Sequence, residues 1–261
     1  MPSDRQSLLE RIQRMAAAVV ATQPAGSGLC LVGGFRYRLL DRAARRSVDI
    51  DYHWSGDLDT KQRELTDLFG RRLLPDVRRR FGLDGSVRAS PIESPAAAVI
   101  ELAFWSIGTD LGRLEIPIDI IRMECLDPPT VRTADGILYR TASNADMLEA
   151  KVLAVVGRTF LEHRDLIDIF LFASHAAPDA AERLSRKLGS LNIGAETIAK
   201  RLAHLRSDNA RHVAAVDHVI REQLDDEAAE SLRLAGGGAL VVSTVSLLLT
   251  QLLGPSPGGQ S

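Results

Sequence analysis

The chain has 261 residues, of which 45% are hydrophobic and 25% charged; these shares are typical of folded globular proteins and exclude an intrinsically disordered chain. Its formal net charge of -2 provides no overall attraction for nucleic acid or anionic membranes, so any contact with a polyanion must come from a local patch. The two cysteines, Cys30 and Cys125, have no metal-ligand spacing, which predicts thiols in a reduced, cytoplasmic protein.

The first half of the chain alternates between helical and strand patterns of apolar residues. Helical spacing predicts helices over 7–22, 35–44 and 59–81. Short apolar or alternating runs predict strands over 29–32, 48–54, 86–92, 97–107 and 113–123. This order of elements predicts a small mixed sheet flanked by helices.

The character of the chain changes at the segment "ECLDPPTVRTADGI", which contains two adjacent prolines and the turn-prone pair Asp135–Gly136. Beyond it, helical spacing predicts helices over 144–160, 164–176, 179–191, 194–205 and 209–224. We therefore place a domain boundary near residue 126. The apolar run from Ala239 to Leu253 is shorter than the roughly 20 residues that span a bilayer, so it predicts a buried or partner-facing helix and no membrane span.

The stretch "VDIDYHW" contains two aspartates one residue apart. Asp49 and Asp51 are expected on the same face of a strand, because alternate residues share a face. Two adjacent carboxylates repel each other, and a hard cation such as Mg²⁺, which prefers carboxylate oxygens, would offset that repulsion. Asp-x-Asp on a solvated strand face is the plainer alternative.

Further candidate residues lie up- and downstream of these aspartates. Gly33–Gly34 stands between a predicted strand and a predicted helix, where glycine allows close approach of a ligand and the helix N-terminus offers N–H groups to a phosphate; a tight turn explains the pair equally well. Asp119 is a lone carboxylate in the apolar run "LEIPIDII", where burial without a cation or hydrogen-bond donors would be costly.

A third group of charged residues begins the helical half of the chain. It comprises Lys151, Arg158, Arg164, Asp165 and Asp168, and salt bridges are the alternative explanation for each of them. The six histidines show neither triad nor zinc spacing.

Together these motifs resemble a known fold and family. A Gly-Gly pair, a helix, Asp-x-Asp and a later strand Asp in a small mixed sheet resemble the polymerase-β type of nucleotidyltransferase superfold. The segment "EAKVLAVVGRTFLEHRDLIDIF", with Lys, then Arg, then Arg-Asp-x-x-Asp, resembles the AbiEii toxin family of nucleotidyltransferases. The resemblance covers about residues 31–171. It implies an α/β (α+β) nucleotidyltransferase domain with a small mixed β-sheet over 1–125, followed by an α-helical domain over 126–261 that completes the active site.

The resemblance also implies roles for individual residues. Gly33 and Gly34 would hold the triphosphate, while Asp49 and Asp51 would bind Mg²⁺ or Mn²⁺. Asp119 would be the third carboxylate, acting as base or as a second metal ligand. The helical half would contribute Lys151 to the nucleotide phosphates and a second cluster of Asp165 and Asp168, of which Asp165 is the expected direct participant.

One position departs from the superfold. Phe35 stands where the superfold usually has Ser or Thr after the glycines, so one hydroxyl contact to phosphate is missing. Ser47 is the local candidate for a replacement contact with the nucleotide.

The implied reaction is in-line attack of an acceptor hydroxyl on the α-phosphate of a nucleoside triphosphate, with pyrophosphate leaving. Relatives in the AbiEii family add nucleotides to transfer RNA ends and are paired with an antitoxin, in toxin–antitoxin or phage-defence systems. An RNA backbone would be held by arginines, and the candidates are Arg45, Arg46, Arg71, Arg72, Arg78, Arg79 and Arg80. A solvated charged face is the alternative for this run.

Two other functions remain open at this point. One is a transferase that modifies a small molecule, as aminoglycoside nucleotidyltransferases with a similar "GG…DID" pattern do. The other is an inactive member of the fold that binds a nucleotide or a partner protein, with Phe35 as the mark of lost activity.

Overall fold

The computed structural model describes residues 4–106 and 112–254. The chain forms two compact units. The first, which we call the sheet unit, comprises Met1–Met123 and Pro128–Ala142; the second, the helical unit, comprises Glu124–Asp127 and Ser143–Ser261. The boundary predicted near residue 126 differs from this division by residues 128–142, which return to the sheet unit.

A mixed sheet of seven strands forms the centre of the described sheet unit. The strands are β1 Cys30–Val32, β2 Ile50–His53, β3 Asp84–Ala89, β4 Ala97–Trp105, β5 Leu114–Ile121, β6 Thr130–Ala134 and β7 Ile137–Thr141. Their order across the sheet is β3-β4-β5-β2-β1-β7-β6. The pairs β2–β5 and β1–β7 are parallel, and the other neighbours are antiparallel. The mixed sheet is as predicted; Ile107, the end of one predicted strand, lies outside the described residues.

Alternation along the central strands determines which side chains enter the core. Ile116, Ile118 and Ile120 of β5 are buried at 0% exposure, and Ile50 and Tyr52 of β2 join them in the same apolar cluster. Asp51 and Asp119 therefore point to the opposite face, where both are only partly buried. The apolar run around Asp119 thus belongs to one face of the strand, and the aspartate to the other.

The described residues of the sheet unit form four α-helices: α1 Asp4–Thr22, α2 Gly33–Leu40, α3 Leu58–Leu68 and α4 Leu74–Phe81. The single helix predicted over 59–81 is α3 and α4, joined without a break by a π-helical turn at Phe69–Leu73. Asp57 caps α3, its carboxylate accepting a hydrogen bond from the Thr60 N–H at 2.8 Å.

The β6–β7 hairpin is the element that the sequence pattern missed. Asp135 and Gly136 form its turn, with φ of 50° and 75°, and β7 then pairs with β1. The hairpin lies at the sheet edge, with Val131 and Leu138 64% and 65% exposed. Because it buries few of its apolar side chains, it lacks the alternation that marks a half-buried strand.

The described helical unit consists of helices, as predicted: α5 Asn144–Gly157, α6 His163–Phe172, α7 Ala180–Ser190, α8 Ala195–Ser207, α9 Asn209–Gln223, α10 Asp226–Leu234 and α11 Gly237–Leu253. The uncharged α11 packs against α6, α7, α8 and α9 and buries Val241, Val242, Val245 and Leu249. It is therefore a core helix of this unit. No single described helix is long and apolar enough to cross a bilayer, and α10 with α11 meets that length only as a pair bent by 77°.

A buried network of ion pairs connects α5 to α7. Lys187 contacts Asp146 and Glu149, each at 2.6 Å, and Arg183 contacts Glu149, Asp146 and Asp127. Hydrogen bonds from Arg183 hold the pKa of the Asp127 carboxyl below its usual range. The network places two cations among three carboxylates, of which Asp146 and Glu149 are buried.

Candidate functional site

Three aspartates converge on one face of the sheet unit. Asp51 of β2 and Asp119 of β5 are direct neighbours across a parallel strand pair, and Asp49 directly precedes β2. One carboxylate oxygen of each lies within 4.8 Å of the other two. The chain therefore brings three carboxylates close enough together to share a divalent cation.

Ser47 is the immediate partner of this acidic cluster. It is buried, at 6% exposure, and its hydroxyl donates a hydrogen bond to Asp49 Oδ1 at 2.5 Å. Its own carbonyl accepts a hydrogen bond from the buried Gln13 side chain at 2.9 Å. Ser47 therefore orients Asp49; its predicted contact with a nucleotide stays a prediction.

The neighbouring Tyr52 is not available for acid–base chemistry. Its side chain lies in the core at 3% exposure, and burial raises the pKa of its hydroxyl. The candidate site therefore involves the acidic face of β2 and not its core-facing side chains.

Gly33 explains part of the Gly-Gly motif. It begins α2 with a φ of +73°, a conformation that favours glycine. A Cβ atom on Gly33 would overlap the Asp51 carboxylate and lie 2.5 Å from its Cγ. The glycine thus allows the start of α2 to lie directly against the Asp51 carboxylate.

We expect Gly33→Ala to lower the free energy of unfolding by about 2–3 kcal/mol, because it adds overpacking against Asp51 to the strain of a positive φ. Gly82→Ala is the matched control: Gly82 has a φ of +68° but nothing within 4 Å of an added Cβ, so about 1 kcal/mol is expected there. Urea unfolding of both variants measures the difference. Equal losses of unfolding free energy in the two variants would contradict the close contact between Gly33 and Asp51.

The second glycine, Gly34, lies beside the cationic side chain of Arg45. Sequence reasoning did not predict this position for Arg45. A Cβ on Gly34 would overlap Arg45 Nη2 and lie 2.8 Å from Ser47 Oγ. Arg45 is buried, at 3% exposure, and donates to the Arg46 carbonyl at 3.0 Å. It therefore lies next to the glycine turn and not on an exposed surface of the kind expected for an RNA contact. Arg45 stands two residues before Ser47 in the sequence, and this spacing is the sequence signal that could have placed Arg45 beside the glycines.

Phe35 is buried at 0% exposure in the apolar core of the sheet unit. It contributes to packing, so the position that carries Ser or Thr in the superfold offers no polar group here. Arg45 and Ser47 are the polar side chains next to Gly34 instead.

Four of the five charged residues predicted as a group in the helical unit form ion pairs with one another, while Arg164 Nε lies 3.9 Å from Glu162 Oε2. Lys151 Nζ on α5 lies 2.8 Å from Asp165 Oδ1 and 3.0 Å from Asp168 Oδ2 on α6, and Arg158 Nη1 lies 2.8 Å from Asp165 Oδ2. Both aspartate side chains are 1% exposed, whereas those of Lys151 and Arg158 are 14% and 46% exposed. The salt-bridge explanation is therefore correct for these residues, and their contact with a nucleotide stays a prediction.

Apart from Arg46, the other candidate arginines lie on α4 or on the π-helical turn that precedes it. Arg71, Arg78 and Arg79 have side chains 70–80% exposed, Arg72 and Arg80 are also exposed, and Arg46 is half-buried. Asp67, Asp84 and Asp76 lie 3.4, 3.5 and 2.7 Å from Arg71, Arg78 and Arg79 respectively. The exposed arginines thus form a surface of mixed charge.

Comparisons with known proteins identify the fold. No family model and no curated protein sequence matches the chain. Among solved structures, JHP933 from Helicobacter pylori matches with a TM-score of 0.56 at 15% identity, over 97% of this chain and 95% of that one. A further structure from Helicobacter pylori, described as a putative nucleotidyltransferase, gives a TM-score of 0.58 at 15% identity, over 96% of this chain and 97% of that one.

A third solved structure is MenT4, a nucleotidyltransferase toxin from Mycobacterium tuberculosis, with a TM-score of 0.53 at 17% identity, over 95% of this chain and 87% of that one. At these identities the matches establish the fold. The chain has a nucleotidyltransferase-like fold over nearly its full length.

Proposed function

We propose that the protein is a Mg²⁺-dependent nucleotidyltransferase that transfers a nucleoside monophosphate from a nucleoside triphosphate to an acceptor hydroxyl, releasing pyrophosphate. The observation that carries the proposal is the convergence of Asp49, Asp51 and Asp119 within 4.8 Å, in a chain with this fold. Like charges at this distance repel, and a bound divalent cation would offset that repulsion.

The donor set fits Mg²⁺ or Mn²⁺. Three carboxylates supply the hard oxygen ligands that these ions prefer, and Gly33 keeps the start of α2 from displacing Asp51. Asp49, Asp51 and Asp119 would hold the ion. When bound, it would offset the negative charge of the phosphates and of the transition state.

The chain's own residues have distinct tasks in this scheme. Ser47 holds Asp49 in position through its 2.5 Å hydrogen bond. Asp119 is the carboxylate proposed to accept the proton of the attacking hydroxyl, since it lies beside Asp51 on the neighbouring strand. The first turn of α2, at Gly33 and Gly34, offers backbone N–H groups without helical partners to the triphosphate.

Cationic groups complete the proposed phosphate contacts. Arg45 lies against Gly34, where its guanidinium suits a phosphate oxygen and supplies a polar group that Phe35 lacks. Lys151 is proposed as a further phosphate contact. Asp165 and Asp168 hold the Lys151 ammonium in place through their ion pairs.

For the acceptor, we propose RNA, with a transfer RNA end as the leading candidate and a toxin paired with an antitoxin as the biological role. Support comes from the exposed arginines of the α4 region, Arg71, Arg72, Arg78, Arg79 and Arg80, and from the likeness to MenT4, a nucleotidyltransferase toxin. A polyanionic acceptor is held mainly by such contacts to its phosphates.

The test is incubation of the protein with Mg²⁺ and each labelled nucleoside triphosphate, together with either bulk transfer RNA or a mixture of aminoglycosides. We expect label on transfer RNA, lost when EDTA is added. Label on an aminoglycoside alone would replace the RNA proposal with the small-molecule alternative. Nucleotide binding without transfer to either acceptor would identify an inactive member of the fold. Growth arrest on induced expression, relieved by an adjacent gene product, would support the toxin–antitoxin role.

A further inference from the structure

A second group of side chains suited to metal binding lies in the helical unit. It consists of His204, Asp208 and His212. One ring nitrogen of each histidine and one carboxylate oxygen of Asp208 lie within 4.8 Å of one another. The histidines alone show no zinc spacing, and the pattern emerges only when the intervening carboxylate is included.

The backbone explains why the three side chains meet. They are spaced four residues apart across the junction of α8 and α9, where the helix assignment is interrupted at Asp208. Helical hydrogen bonding nevertheless continues through the junction: Asp208 N–H donates to the His204 carbonyl and His212 N–H to the Asp208 carbonyl, each at 3.1 Å. Residues four apart in such a segment lie on one face, one turn above the other.

His212 provides an independent indication of a ligand. The residue is 2% exposed, and its Nε2 is buried with no hydrogen-bond partner among the described residues. Its Nδ1 lies 3.0 Å from Nε2 of His163 at the start of α6. A tautomer with the proton on Nδ1 donates to His163 and leaves an unshared electron pair on the buried Nε2, which is the state that binds a metal.

We propose that His204, Asp208 and Nε2 of His212 form a binding site for a divalent transition metal of the Zn²⁺ class, with His163 as a positioning residue. Two imidazoles and one carboxylate are a donor set that Zn²⁺ accepts and that Mg²⁺, which prefers oxygen ligands, does not. A ligand histidine that donates its other N–H to a neighbour is the usual arrangement around such ions.

The site has an entry route and a structural consequence. His204 is exposed and Asp208 is half-buried, so the ion can enter from the His204 side, where a water can complete the coordination. Because His163 belongs to α6, the ion would hold the α8–α9 junction and, through His212, fix it to the start of α6.

The test uses the full chain after treatment with a chelator. Zn²⁺ or Co²⁺ is titrated into it in a buffer that contains excess Mg²⁺, and binding is measured by calorimetry and by the visible spectrum of bound Co²⁺. We expect one equivalent of Zn²⁺ bound, at least about 100-fold weaker binding in His212→Gln and in His204→Gln, and about 10- to 100-fold weaker binding in His163→Gln. His204→Gln changes an exposed residue, so it tests the proposal even if His212→Gln fails to fold.

The matched control is His218→Gln, since His218 is an exposed histidine on the same helix α9. The affinity of this variant for Zn²⁺ should equal that of the unaltered chain. Absence of Zn²⁺ binding would overturn the proposal. Zn²⁺ binding that is unchanged in His204→Gln and Asp208→Asn would also overturn it, because the ion would then bind elsewhere. Loss of Zn²⁺ binding in Asp51→Asn would overturn it for the same reason.

Discussion

The Asp51→Asn variant is expected to lose Mg²⁺-dependent nucleotidyl transfer by about 10³-fold or more while keeping its fold. The change keeps the shape of the side chain but removes one of three charges that lie within 4.8 Å of one another. Losing several kcal/mol of stabilisation from a bound cation corresponds to a rate loss of this size. Initial rates of label transfer, with saturating nucleotide and varied Mg²⁺, measure it.

A second readout of the same variant does not depend on activity. In the unaltered chain Mg²⁺ should raise the Tm, because an ion that binds only the folded state stabilises it by about 2.7 kcal/mol at 100 times its Kd. This rise should be lost in Asp51→Asn. Without Mg²⁺ the variant should be at least as stable as the unaltered chain, since one repulsive charge is gone.

The control for this variant is Glu115→Gln. Glu115 lies on β5, the same strand as Asp119, but it is exposed and pairs with Arg113 at 2.9 Å. It should retain both the activity and the Mg²⁺ response. Full transfer activity in Asp51→Asn would show that the three aspartates are not the metal site.

Lys187→Met is expected to cost about 3–5 kcal/mol of unfolding free energy, the largest stability loss that we predict. The Lys187 side chain is 0% exposed and lies 2.6 Å from both Asp146 and Glu149, whose side chains are 0% and 3% exposed. Removing the cation leaves Arg183 as the neighbouring cation for both carboxylates, and a buried charge without sufficient compensation is strongly destabilising. Urea unfolding followed by far-UV circular dichroism measures the loss.

The matched control is Lys200→Met in the same unit. Lys200 is 75% exposed and pairs with Glu196 at 2.7 Å, and such exposed pairs contribute at most about 1 kcal/mol. A loss for Lys187→Met no greater than that for Lys200→Met would show that the network adds little to stability.

The sequence was sufficient for the central parts of the fold and of the acidic cluster. Alternation in "VDIDYHW" placed Asp49 and Asp51 together, and the lone carboxylate in "LEIPIDII" identified Asp119 as unusual. That these residues meet depends on the pairing of Asp51 with Asp119. Strand register between distant segments is a tertiary property that a local pattern does not contain.

Other features could not be predicted because they depend on burial in three dimensions. Arg45 belongs to an arginine-rich run, yet it is buried beside Gly34 while Arg71 of a similar run is exposed. The β6–β7 hairpin was missed because a sheet edge does not require strict alternation. The Asp135–Gly136 pair was correctly read as a turn, but its strands were not recognised.

The position of β7 in the sheet has a consequence for how this chain folds. Leu31 pairs with Thr141, whose hydroxyl donates to the Leu31 carbonyl at 2.7 Å across 110 residues of sequence. We expect this contact to form late and to slow folding, because the loop must lose conformational entropy before the contact forms. Until then β1 is an open sheet edge with unpaired backbone groups, the kind of surface on which partly folded chains associate. A fragment ending at Ile121 would keep that edge permanently, so one cut cannot separate the sheet unit from the rest of the chain.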